Sequence, residues 1–166
     1  KRYSMCGVRI GALVCRNTEV INTIMKLAQA RLSPPSLGQI ASEAALKTPS
    51  SYFEEVSAEY VQRRDLLVNG LNEIEGVFCP MPGGAFYAVA KLPVEDTEDF
   101  CRWMLEEFEH KGQTVMMAPA SGFYSSPGMG KQEVRLAYVL SQDKLKEALE
   151  CLKIGIKEYQ KVAAAV

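Results

Sequence analysis

Lys1-Arg2-Tyr3-Ser4-Met5-Cys6-Gly7-Val8-Arg9-Ile10-Gly11-Ala12-Leu13-Val14-Cys15 opens the chain. A basic, polar start runs into a short apolar segment rich in Val, Ile and Leu. That pattern predicts a buried strand over 8–15, with Lys1 just before it and Arg9 inside it. Two readings of this pair are open. One is a surface lysine and an edge arginine. The other is a nucleophilic amine beside a fixed cation. An amine attacks a carbonyl only when neutral, and a nearby positive charge or desolvation lowers its pKa enough to allow that. The planar fork of a guanidinium also suits a phosphate.

Working outward, Asn17-Thr18-Glu19 is a helix start, followed by Val20, Ile21, Ile24, Leu27 and Ala28 at helical spacing. Ser33-Pro34-Pro35-Ser36 breaks the pattern, because proline removes a donor and constrains the residue before it. A second helix fits 36–47. A long one should run from Ser51 to about Glu75, with Phe53, Val56, Tyr60, Leu67, Leu71 and Ile74 as its apolar stripe. Strands are predicted at 77–79, 85–89, 115–118 and 134–140. Helices are predicted over 97–111, capped by Asp96-Thr97, and over 143–161. The second half thus reads strand, strand, helix, strand, strand, helix: an α/β chain, α+β in its small domain, with a small sheet and helices packed on one face.

The chain has 166 residues, 48% hydrophobic and 23% charged, enough for one domain or two small ones with a real core. A net charge of −1 argues against nucleic acid or anionic membrane as partners. No apolar run reaches the roughly 20 residues that span a bilayer. The cysteines at 6, 15, 79, 101 and 151 are odd in number and form no CxxC pair, so they read as reduced, buried thiols of a cytoplasmic protein. No His, Cys and carboxylate cluster has metal-ligand spacing.

Three further stretches carry chemistry. Pro82-Gly83-Gly84-Ala85-Phe86-Tyr87 is a turn whose glycines also allow close backbone approach. Met116 to Phe123 is a strand running into a small-residue loop. In Glu133-Val134-Arg135-Leu136-Ala137-Tyr138 an arginine sits mid-strand between apolar neighbours. It must find an internal carboxylate or wait for one on a ligand, since an unpaired buried charge is costly.

In order and spacing these four stretches resemble the fold-type I, pyridoxal-phosphate-dependent aminotransferases of the aspartate aminotransferase class, in their carboxyl-terminal half. That family carries a Ser-x-Ser-Lys motif followed by Gly-x-Arg-x-Gly, matched here from Lys1 through Gly7-Val8-Arg9-Ile10-Gly11. It carries a Gly-Ala-Phe-Tyr segment, here Gly84 to Tyr87, a Pro-Gly-Ser-x-Phe-like loop, here Pro119 to Phe123, and an Arg-Leu-Ser-Tyr-like strand, here Arg135 to Tyr138. The resemblance implies that Lys1 binds the cofactor and later moves the proton between Cα and the cofactor's C4′. It implies that Arg9 holds the cofactor phosphate and that Arg135 grips the substrate α-carboxylate. Arg31, shortly before Pro34-Pro35, is similar to a second carboxylate reader reaching in from a neighbouring subunit; it reads equally as a helix-end cation favoured by the helix dipole.

By the same resemblance the substrates are an amino acid and a 2-oxo acid, the protein is a homodimer, and the domains are 1–50 (end of the large cofactor-binding domain), 51–75 (connecting helix) and 76–166 (small domain). A chain beginning in mid-motif, without the family's ring-binding groups, is expected to be a fragment inactive alone. Its strand at 8–15 is expected to lack neighbours and to be disordered, dimerised or swapped. A carbon–sulfur lyase or decarboxylase of the same fold, or an effector-sensing domain of a transcription regulator, would share these motifs. His110 is expected to be solvated, Trp103 to be core, and Glu106, Glu107 and Glu109 to form a solvated face.

Overall fold

The side chain of Asn17 accepts from the backbone N–H groups of Glu19 (2.9 Å) and Val20 (3.3 Å), which satisfies donors that a helix start leaves unpaired. This cap begins α1 (Thr18–Arg31) in a computed structural model that describes residues 2–164. Asp96 caps α4 (Thr97–Glu106) by accepting from Glu98 N at 2.8 Å, and Ser141 caps α5 (Gln142–Ala163). α2 (Ser36–Ala45) follows Pro34-Pro35, and the long α3 is Ser50–Asn72. The strands are β1 (Tyr87–Lys91), β2 (Ala118–Pro119) and β3 (Glu133–Ala137). The chain forms two compact units, one ending at Val56 and the other beginning at Ser57.

The first unit has no strand among its described residues, which corrects the expectation for 8–15. Cys6–Val8 is a 3-10 turn, Arg9 takes a left-handed conformation (φ 56°), and residues 11–15 are irregular and exposed. The physical reason is the one that makes strands cooperative. A strand's N–H and C=O groups need a ladder partner, and no other stretch of this unit supplies one. Cys6 and Cys15 are consequently exposed rather than buried. Order comes instead from a small aromatic group. Tyr3 and Tyr52 pack edge-on against Phe53 at 5.5 and 5.6 Å, the Arg2 guanidinium lies 4.4 Å from the Phe53 ring centre, and Tyr52 OH donates to Ser4 Oγ at 2.7 Å. Val8 and Ile10 lie over Gly38, where a Cβ would come within 3.1 Å of Val8 Cγ1.

The second unit is built on a three-stranded antiparallel sheet in the order β1-β3-β2. Strand geometry sends alternate side chains to opposite faces. Ala88, Ala90 and Val134 face inward and are fully buried, with Leu136 beside them. Tyr87, Val89, Arg135, Ala137 and Ala118 share the other face by register. The inward face packs against Leu67, Val68 and Leu71 of α3, Phe100 and Met104 of α4, and Leu145, Leu152 and Ile156 of α5. Trp103 is half-buried against this core, stacked on Phe100 and 5.3 Å from the Tyr159 ring. The predicted strand at 77–79 is a single bridge, Phe78 to Lys91, and the predicted strand at 115–118 shortens to Ala118–Pro119. Between α4 and β3, buried Thr97 ties the layers: its hydroxyl lies 3.1 Å from Lys131 O and 3.0 Å from Glu133 O.

Candidate functional site

Lys1 lies outside the described residues. The other expected cofactor ligand, Arg9, lines a depression of about 490 Å³ in the first unit together with Met5, Cys6, Ile10 and Arg31. The 3-10 turn and the left-handed backbone at Arg9 set its guanidinium on the rim, where Nη1 donates to Cys6 O at 3.4 Å. Arg31 is the last residue of α1, so its cation also stands at the negative end of that helix. Both residues are exposed. A phosphate needs fixed cations and unspent N–H donors, and two guanidinium groups on one depression provide that chemistry.

Arg135 sits mid-way along β3 in the second unit, but on the open face of the sheet rather than in the core. Its guanidinium carbon lies 4.8 Å from the centre of the Tyr87 ring and 4.5 Å from that of Phe123. Register explains the first contact: Val89 is opposite Arg135, which makes Tyr87 its diagonal neighbour on the same face. The second contact arises because small Ala118 is opposite Arg135 on the other side, and the 3-10 turn Ser121–Phe123 brings the ring back over it. Among the described residues no acidic side chain lies within ion-pair distance of Arg135. The internal carboxylate that the sequence left open is thus replaced by two aromatic rings.

Glu133, two residues away on the same strand, is engaged elsewhere. Its carboxylate accepts a short hydrogen bond from Tyr124 OH, and that bond holds the Tyr124 hydroxyl above its ordinary pKa. Sequence reasoning named Arg135 but assigned nothing to Tyr87, Phe123, Tyr124 or Glu133. The signal was available in the period-two spacing of 133 and 135 and in the aromatic residues ending two of the quoted motifs.

Other expected residues fall elsewhere. His110 is half-buried rather than solvated, with Nε2 3.4 Å from Glu150 Oε1, because the reverse pairing of His110 with Gln113 turns it onto α5. Glu106, Glu107 and Glu109 are exposed. Among the described residues no group of His, Cys, Asp and Glu could hold a metal ion, and no helix is long and apolar enough to cross a membrane.

A family model described as aminotransferase class I and II matches residues 1–152. An aspartate aminotransferase of Rhizobium meliloti is 34% identical over 95% of this chain, and one from Bacillus subtilis is 33% identical over 96%. The chain spans 39% and 40% of the length of those two relatives. The crystal structure of the Rhizobium meliloti aspartate aminotransferase superposes with a TM-score of 0.72 at 36% identity, covering 95% of this chain and 40% of that one. A Thermus thermophilus α-aminoadipate aminotransferase, complexed with a phosphopyridoxyl-leucine, shares the fold with a TM-score of 0.81 at 22% identity, covering 97% of this chain and 42% of that one. The motifs, the sheet with its arginine over two aromatic rings, and these matches agree: the chain belongs to the class I and II aminotransferases, a pyridoxal-phosphate-dependent family.

Proposed function

We propose that this chain is part of an aminotransferase that moves an amino group between an amino acid and a 2-oxo acid, with aspartate or glutamate as the donor. The observation that carries the reading is Arg135: a guanidinium held over two aromatic rings, with no carboxylate partner among the described residues. Such a group is held ready for an external carboxylate. The relatives' names support aspartate as the donor.

Pyridoxal phosphate, when bound, supplies the electron sink for the bond broken at the substrate Cα. Arg9 holds its phosphate through the guanidinium fork. Arg135 takes the substrate α-carboxylate in a bidentate pair, which fixes the Cα–H bond for proton removal; such positioning is worth several kcal/mol in general. The amine of Lys1 would hold the cofactor and take up the proton released at the substrate Cα. Arg31 reads the side-chain carboxylate of aspartate or glutamate. Residues 1–50 belong to the large domain, 51–75 to the connecting helix and 76–166 to the small domain of a homodimer. Residues 1–166 alone are inactive, because they correspond to 39% of a relative's length.

The test uses the protein as its gene encodes it. With pyridoxal phosphate it should show the absorbance of a lysine-linked cofactor, and Lys1→Ala should abolish it. Adding aspartate or glutamate should remove that band, whereas alanine or phenylalanine should not. An unchanged band with every donor would sink the reading. Loss of the dicarboxylic preference in Arg31→Gln would support its role, and an unaltered preference would remove it.

A further inference from the structure

We propose that Phe123 and Tyr124 form a two-part positioning device: Phe123, with Tyr87, holds the Arg135 guanidinium over two ring faces, while Tyr124 keeps Glu133 from neutralising it. This deepens the reading above and rests on Arg135 being the carboxylate reader.

Holding a guanidinium over two ring faces has a specific consequence. The rings attract the cation through their faces, yet they offer no acceptor in the plane of its N–H groups. The Tyr87 and Phe123 rings lie 4.8 and 4.5 Å from the Arg135 carbon, so the group is held by contacts that take none of its N–H donors. A planar, two-oxygen ligand approaching edge-on meets that geometry directly. An internal carboxylate would defeat the arrangement, and Glu133 is the one nearest in sequence and on the same face of β3. Tyr124 OH takes it instead.

The loop is shaped for this. Gly130 has φ 72°, and a Cβ there would come within 2.6 Å of the Tyr124 ring and 2.9 Å of Ala120 O, so the Tyr124 ring occupies the space a side chain would need. On the other side Ser121 Oγ is bonded to Glu98 Oε1 at 2.6 Å, which fastens the 3-10 turn carrying Phe123 to α4. Adjacent residues of one loop thereby serve the same arginine, one by contact and one by diverting its competitor.

The experiment again uses the protein as its gene encodes it. KM for aspartate is measured beside the Kd of maleate, an unreactive dicarboxylate. Phe123→Leu should raise both about tenfold, and Phe123→Trp should restore both. Tyr124→Phe should also raise both, and adding Glu133→Gln to it should bring them back. Arg135→Lys separates the two levels of the argument. If it leaves KM and Kd unchanged, the reading of Arg135 fails. If it raises both but Phe123→Leu does not, the reading stands and the clamp is overturned. Failure of Phe123→Trp or of the Tyr124→Phe, Glu133→Gln pair to restore binding also overturns the clamp, since general loop packing would then explain the losses.

Discussion

Asn72 and the backbone of Cys79 exchange two hydrogen bonds: Nδ2 donates to Cys79 O at 2.9 Å, and Cys79 N donates to Oδ1 at 2.8 Å. The side-chain amide thus acts as a one-residue strand at the end of α3, holding the segment that leads to the Pro82-Gly83-Gly84 turn. Asn72→Ala removes both bonds and leaves the buried Cys79 amide without its partner. It should destabilise the second unit by about 1–2 kcal/mol, read as a lowered denaturation midpoint at unchanged slope. Asn72→Asp keeps the acceptor and loses the donor, so it should fall between the two.

Gly76 lies in the loop that this pair closes, with φ 80°, and a Cβ there would sit 2.8 Å from Cβ of Pro93. The conformation disfavours a side chain, and the neighbour is a rigid ring that cannot swing aside. Gly76→Ala should therefore cost about 1–3 kcal/mol by thermal denaturation, although alanine usually reduces the entropy lost on folding. A neutral or stabilising result would show that the 76–93 contact yields freely.

The sequence made some elements legible and others not, for reasons visible in single residues. Asn17 and Asp96 announce helices because a cap acts through bonds to residues within three positions. The stripe of Tyr60, Leu67 and Leu71 announces α3 because one core lies along it. The strand expected at 8–15 failed because a strand depends on partners that a local pattern cannot guarantee. The two-residue β2 was overread because Val115 and Met116 are apolar without pairing to β3. For the candidate site, motif order named Lys1, Arg9 and Arg135 as candidates, and the nearby Pro34-Pro35 pair added Arg31. The rings around Arg135 depend on register and on a turn, and neither is written in the spacing of one segment.

Glu150 offers a pH-dependent test. Its carboxyl is held below the usual value by a hydrogen bond and charge from Lys111 (3.0 Å) and by His110. A depressed carboxylate pKa adds stability above the unfolded value and loses it as pH falls through the folded one. Glu150→Gln should accordingly lower Tm at pH 6–7. The difference from the parent should shrink once the pH drops below the ordinary glutamate value of 4.5 and vanish in stronger acid. A gap that persists at pH 2 would mean that packing, not charge, links the His110–Lys111 turn to α5.

Thiol chemistry separates the two units. Cys6 and Cys15 are exposed, whereas Cys79, Cys101 and Cys151 are buried in the second unit's core. Burial pushes the Cys101 thiol up to about 11 and raises Cys79 and Cys151 as well, so little of their reactive thiolate exists near neutrality. Native 166-residue chain treated with a thiol reagent at pH 8 should label fast at positions 6 and 15. The other three should react only at the rate of core opening, and all five should react in denaturant. Peptide mapping of the labelled sites decides the matter. Fast labelling of Cys101 would show that the layer between α4 and the sheet opens far more readily than its packing around Phe100 and Met104 implies.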